Sequence, residues 1–263
     1  MLHEFLTSIS SRCCPYGRQA GLAAEVAGIA GRRKRHKGAW AHHLTNTQDF
    51  IKAQLALADP EKPILLLGAG LCLDVPLAAL NAHPAGATLI DAVYPLASRM
   101  KCRPFKNIRF QCFDATGFLE KFWGNSTGNP VTPPAIAPIP AGDWGMIISC
   151  NMLSQLPLSF AGSPPDGDIE IKLTAVLQLA HMKMLRQAKC PIVLISDYER
   201  QETTDIGSDI GSGADTVTIV SAAPHLLPGE PAKEWIWPIA PKGEIGPNTE
   251  VSLKVGAWLF SGS

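Results

Sequence analysis

Charge is scarce in this 263-residue chain: Asp, Glu, Lys and Arg make up 17% of it, and 23 basic residues balance 23 acidic ones. Without net charge there is no general attraction to nucleic acid or anionic membrane, although a local patch can still act. The seven cysteines (Cys13, Cys14, Cys72, Cys102, Cys112, Cys150, Cys190) are odd in number, and no Cys-x-x-Cys spacing occurs. Neither a zinc site nor a disulfide framework is suggested, and no metal is expected. No apolar run approaches the roughly 20 residues of a membrane span. The N-terminal MLHEFLTSISSRCC lacks the basic segment and long apolar stretch of a secretory signal. A cytoplasmic protein with reduced thiols and no membrane attachment is the expectation. No internal repeat is apparent. The 46% apolar content is ample for a core.

What is present centres on ILLLGAGLCLDVPLAAL, residues 64–80. Ile64 to Leu67 form a short apolar run, as expected of a strand buried on both faces of a parallel sheet. Gly68-Ala69-Gly70 then permits a tight turn and close backbone approach to a ligand. Asp74 and Pro76 mark a helix start. Strand, glycine turn and helix together form the nucleotide-cradling unit of doubly wound α/β folds.

Residues 1–60 are expected to form a helical cap. Leu22, Val26 and Ile29 share one helix face, the basic run 32–37 follows, and Thr45 with Gln48 has capping-box spacing. Residues 61–263 are expected to hold the cofactor-binding catalytic domain. Further strands are predicted at 87–93, 107–115, 144–150 and 192–196, and a long helix at 169–188. Residues 124–142 are rich in Pro, Gly and Ser and predict a surface loop. The polar, glycine-rich 202–215 predicts a mobile segment. TVTIV, EWIWPIA and EVSLKVGAWLF are β-rich, and the last two most simply pair antiparallel.

Two cofactor classes use such a turn. The dinucleotide fingerprint G-x-G-x-x-G needs a third glycine, and that position is Leu73. Asp74 beside the turn has no use for a pyrophosphate; it suits a cofactor with a ribose, an adenine and a cationic methionine tail. Asp91 lies 21 residues after Gly70, where a carboxylate can accept from both ribose hydroxyls, and Asp114 follows the third strand. Taken together, ILLLGAGLCLDV, LIDAVYP and FQCFDATGF resemble the class I S-adenosylmethionine-dependent methyltransferases over about residues 60–263. The resemblance implies a Rossmann-like three-layer sandwich with a seven-stranded, mostly parallel sheet and an antiparallel C-terminal hairpin. It implies S-adenosyl-L-methionine as cofactor, with Gly68, Ala69, Gly70 and Asp74 near the methionine moiety. Asp91 and Ala92 would meet the ribose, Asp114 and Ala115 the adenine, and Asn151 the segment bordering the methyl group. The family's third motif glycine is Cys72 here.

Each candidate has a plainer account. Asp114 can be a helix N-cap, and so can Asn151. Trp40, His42, Gln155 and Tyr198 are candidate substrate contacts; His43 and Asp197 are candidate bases. A packing histidine is the competing account for His42 and His43, and core packing for Trp235 and Trp237. The basic run can be a solvated helix end, or it can bind RNA. Methyl transfer to a small molecule or peptide is the expected activity. The alternatives are an NAD(P)-dependent oxidoreductase, an RNA methyltransferase, and a non-catalytic interaction protein on the same scaffold. No signal names the acceptor atom or the oligomeric state.

Overall fold

The computed structural model describes residues 2–125, 131–160, 162–208 and 211–262. The chain opens with α1 (Leu2–Ser10), a two-residue β1 (Arg12–Cys13), α2 (Leu22–Arg35) and α3 (Lys37–Gln54). Strands and helices then alternate through β2 (Ile64–Leu67), α4 (Leu77–Ala82), β3 (Ala87–Asp91), a short β4 (Val93–Tyr94), α5 (Leu96–Cys102) and β5 (Ile108–Cys112). Next come α6 (Leu119–Trp123), β6 (Met146–Cys150) and α7 (Gly167–Arg186). The chain finishes in β7 (Pro191–Ser208), β8 (Gly211–Val220), β9 (Lys233–Ala240) and β10 (Thr249–Ser261).

The main sheet has the order β5-β3-β2-β6-β7-β10-β9, and β8 pairs with the outer half of β7. Strands β5, β3, β2, β6 and β7 run parallel, while β10 inserts antiparallel between β7 and β9. This is a Rossmann-like α/β fold. All four residues of β2 are buried, because helices cover both faces of the sheet at its centre. Ile64 and Leu66 join one core with Trp40, Phe50 and Ile51 of α3, Leu77 and Leu80 of α4, and Cys102 of α5. Leu65 and Leu67 point the other way, into a core with Leu153 and Leu156 and with Leu177 and Leu185 of α7. The period-two side-chain alternation of a strand divides these neighbours between the faces.

Several expectations are corrected. No helix starts at Thr45: α3 runs unbroken from Lys37, and Gln48 donates its amide to the Leu73 carbonyl at 2.9 Å. Helix α4 begins only at Leu77, so Asp74 lies in the preceding turn. Residues 12 and 13 are strand, paired with β4, inside an otherwise helical segment. Among the described residues the sheet has eight strands, not seven, because β8 joins it. The expected mobile segment 202–215 is largely the two arms of a β7–β8 hairpin, with residues 209 and 210 outside the described ones. Its threonines explain this: Thr203 meets Thr216, and Thr204 meets Thr249, each at 3.1 Å between hydroxyls. β-Branched residues with cross-strand hydroxyl partners favour extended backbone despite the nearby glycines. Within the loop 124–142, residues 126–130 lie outside the described residues. The remainder from 131 is irregular, and Ala137 is buried with its N–H on the Ala180 carbonyl, 3.1 Å away.

Half of the basic run 32–37 meets carboxylates. Arg35 and His36 reach Glu244 at 2.6 Å and 2.7 Å, Arg32 reaches it at 3.4 Å, and Arg35 also meets Glu4. Arg35, more than any other neighbour, holds the Glu244 carboxyl down to a pKa of about 2. The end of α2 is thereby tied to the turn between β9 and β10. No helix among the described residues is long and apolar enough to cross a membrane.

Candidate functional site

A cavity of about 150 Å³ opens beyond the carboxyl ends of the parallel strands, where α/β sheets bind ligands. Gly68, Ala69 and Gly70, leaving β2, line it. Gly68 has φ +84°, and a Cβ there would stand 2.2 Å from the Cys150 carbonyl oxygen and 2.7 Å from Cγ of Met152. That glycine is required by the chain leaving β6. Gly70 has φ +38°, and its open side faces Asp91 Oδ2 at 3.6 Å from a built Cβ. Cys72 stands where the resemblance has a third glycine and takes a left-handed φ of +50°. Its buried thiol lies 3.8 Å from that of Cys102.

Asp91 closes β3. Its Oδ2 accepts the Gly70 N–H at 2.8 Å, and its Oδ1 accepts the Val93 N–H at 3.0 Å. Burial pushes its pKa up to about 6, against the opposing pull of these backbone donors. Asp74 is also pushed up by burial; its Oδ2 accepts the Asn151 side-chain amide at 2.7 Å. Asn151 has φ +53°, and its own Oδ1 is buried with no partner. Asp114 lines the cavity with Ala92 and Ala115. Both of its oxygens are engaged: Oδ1 accepts from Thr116 N–H at 2.9 Å and Oδ2 from Leu119 N–H at 3.0 Å. Asp114 therefore closes the turn ahead of α6, whose N-cap position is Phe118, and its carboxylate still borders the cavity.

The opposite wall is aromatic. Trp40 and His43 lie on one face of α3 and, with Trp237 of β9, line the cavity. His43 stacks on Trp237 at 3.8 Å with planes 5° apart. Trp40 meets Trp237 edge-on at 4.8 Å. The indole N–H of Trp235 donates to His43 Nδ1 at 3.1 Å. Burial lowers the His43 pKa to about 3. An indole nitrogen can only donate, so Nδ1 is an acceptor and the ring proton sits on Nε2. His43 is thus a neutral imidazole whose Nε2–H is buried. The expectation of a base there is corrected.

Gln155 lines the cavity too. Three candidates do not. His42 is exposed, one helical step round from His43, with the Asn46 amide at 3.1 Å. Asp197 is not at a strand end, because β7 continues to Ser208; its carboxyl is buried and accepts the Ser154 hydroxyl. Tyr198 faces away, its hydroxyl on Glu234 and its ring under Lys254 Nζ at 5.3 Å. Among residues the sequence left unassigned to the site, Trp237, Glu25 and Ser159 line the cavity. Glu25 completes the i, i+3, i+4, i+7 pattern of Leu22, Val26 and Ile29, so the helical spacing was the signal for it. Nothing in the alternation of β9 distinguished Trp237 from a core residue.

The antiparallel strand set between β7 and β9, with a glycine turn and acids at neighbouring strand tips, decides the architecture. It is a Rossmann-like sheet with an antiparallel C-terminal hairpin. No protein-family model matches the chain, and no curated protein matches it in sequence. Among solved structures, it is similar to the Burkholderia thailandensis 1,6-didemethyltoxoflavin-N1-methyltransferase, bound to 1,6-didemethyltoxoflavin and S-adenosylhomocysteine. That match has 11% identity and a TM-score of 0.39, covering 94% of this chain and 92% of that one. A sugar N-methyltransferase from Streptoalloteichus is similar at 11% identity and a TM-score of 0.32, over 84% of this chain and 90% of that one.

Proposed function

We propose that the chain transfers the methyl group of S-adenosyl-L-methionine to a small molecule. The observation that carries this is Asp91: a carboxylate held at a strand tip by the N–H of Gly70 and of Val93, facing the cavity beside the glycine turn. Each oxygen keeps a lone pair for a ribose hydroxyl. Asn151 Oδ1, buried and unpartnered, lies beside the Asp74 carboxylate; an acceptor next to an anion fits an ammonium group. Ala92, Asp114 and Ala115 would border the adenine. The chemistry the bound cofactor supplies is a methyl group on sulfonium sulfur, open to displacement by a lone pair.

The protein's part is binding, orientation and exclusion of water, which supply most of the rate when the leaving thioether needs no proton. Neither His43 nor Asp197 is placed as a base, so an acceptor atom with its own free lone pair suits the cavity.

Calorimetric titration with S-adenosylhomocysteine tests the reading. Saturable one-to-one binding that NAD does not compete for is expected. Binding of NAD without S-adenosylhomocysteine would replace the reading with an oxidoreductase, and binding of neither would leave an interaction protein.

A further inference from the structure

The glycine turn is gripped from one side by α5. The Ser98 hydroxyl donates to the Gly70 carbonyl at 2.8 Å, and Lys101 Nζ donates to the Cys72 carbonyl. The third contact is between thiols: Cys72 Sγ lies 3.8 Å from Sγ of Cys102, the last residue of the helix. All seven cysteines are free, and among the described residues no other two thiols are within hydrogen-bond reach of each other. Cys72 also holds its left-handed φ of +50°, which an L residue adopts at a cost. Glycine fills such a turn without that cost, so what a cysteine adds there is its thiol.

The two sulfurs are unequal. Cys72 has no exposed surface, whereas Cys102 keeps 6% of its own. The Cys72 S–H donates toward Cys102, and this bond, more than any other neighbour, holds the Cys102 pKa below its ordinary value against the effect of burial; the Tyr94 hydroxyl and the Lys101 charge assist. The same bond, with burial, raises the pKa of Cys72. The thiolate is the reactive form of cysteine, and a thiolate beside a second, resolving thiol suits reversible oxidation. A disulfide needs its sulfurs about 2 Å apart, so the present 3.8 Å gap must close by about 1.8 Å.

We propose that Cys72 and Cys102 form a reversible disulfide on exposure to a hydroperoxide, and that the bond weakens cofactor binding by drawing the glycine turn toward α5. The Cys102 thiolate attacks one peroxide oxygen, the O–O bond breaks, and the leaving oxygen takes a proton to become water. The resulting sulfenic acid is attacked by Cys72 sulfur, and its hydroxyl leaves as a second water with the Cys72 proton. Two thiols thus lose two electrons and two protons, and hydrogen peroxide becomes two waters. A dithiol reverses the bond by exchange. Cys72 is two residues beyond Gly70, whose N–H is held by Asp91 Oδ2 at 2.8 Å. Part of the closing movement, passed on to Gly70, breaks that hydrogen bond, because such bonds weaken beyond about 3.2 Å. The effect on affinity rests on the S-adenosylmethionine reading; the disulfide itself does not.

The test treats the full reduced chain with hydrogen peroxide, removes the excess with catalase, and divides the sample. One half is alkylated, digested without reductant and mapped by mass spectrometry; the other is titrated with S-adenosylhomocysteine. A peptide linking Cys72 to Cys102 is expected as the main product, and dithiothreitol should remove it. Affinity for S-adenosylhomocysteine should fall at least tenfold on oxidation and return with dithiothreitol. Cys102→Ser, treated alike, should give no such peptide and change affinity less than twofold. Cys102 oxidised without the linked peptide, linkage of either cysteine elsewhere, or a linked chain with unchanged affinity would overturn the proposal. The peptide is mapped on the unmodified protein, so a poorly folding variant does not decide the outcome. A reduced chain that ignores S-adenosylhomocysteine sinks the methyl-transfer reading and the affinity effect with it, whereas full binding by the reduced chain with no linked peptide after peroxide sinks only this proposal.

Discussion

The two walls of the cavity are assembled from different distances along the chain. On the strand-tip side both oxygens of Asp91 and of Asp114 accept backbone N–H groups from residues nearby, although Asn151 Oδ1 is buried without a partner. On the aromatic side, Trp40, His43 and Trp237 come from α3 and β9, and two of their N–H groups have no partner. A carboxylate oriented by backbone donors is preorganised before any ligand arrives, and it stays fixed when substrates differ. One wall is thus set by hydrogen bonds to nearby backbone, the other by ring packing between distant segments.

The comparison breaks most visibly at the glycines. Gly68→Ala should cost more than about 3 kcal/mol, because a Cβ at 2.2 Å from a carbonyl oxygen with φ +84° needs backbone movement. Gly70→Ala should cost about 1 kcal/mol of left-handed strain yet weaken S-adenosylhomocysteine strongly, since its open side faces Asp91. Equal loss of stability in thermal melts of both variants would contradict this division.

Asp91→Ala should weaken S-adenosylhomocysteine at least 100-fold, about 2.7 kcal/mol, by calorimetry. Unchanged affinity would remove Asp91 from the site. His43→Phe leaves the Trp235 N–H buried and unpaired, costing about 2 kcal/mol of stability in denaturant unfolding. It should move S-adenosylhomocysteine affinity less than twofold. A large loss there would mean that the walls are not separate.

The smallest effect is a pH dependence. Burial raises the Asp91 pKa to about 6, so its folded form favours the proton. The stability this contributes is present below about pH 4 and is lost as pH rises through 6. Ribose hydroxyls need the ionised form, so affinity for S-adenosylhomocysteine should fall about fivefold from pH 6 to pH 5 and be nearly flat above pH 7. His43, with its pKa at about 3, should keep a neutral-imidazole NMR signal throughout that range.

The strand-tip wall was legible because its signals are local. Gly70 and Asp91 are neighbours through one strand–helix–strand unit, and the strand ends of such a unit meet by construction. Helix spacing likewise exposed the shelf of Leu22, Val26 and Ile29. Errors arose where distant partners override local preference. Gln48 has capping-box spacing with Thr45, but the Leu73 carbonyl holds its amide inside an unbroken helix. Asp197 ends an apolar run, yet β8 and β10 carry that strand on to Ser208. The glycines of 202–215 predict mobility, and cross-strand threonines decide otherwise.

Alternation of apolar runs, a glycine turn and two spaced acids were enough, from sequence alone, to determine the α/β class and one edge of the cavity. These depend on period and short-range spacing, which a linear chain displays. Which histidine is buried, which nitrogen bears its proton, and that Trp237 faces a cavity were decided only by tertiary structure. The reason is physical: each depends on Trp235, 192 residues beyond His43, and on low-dielectric packing that exists only once α3 lies against β9.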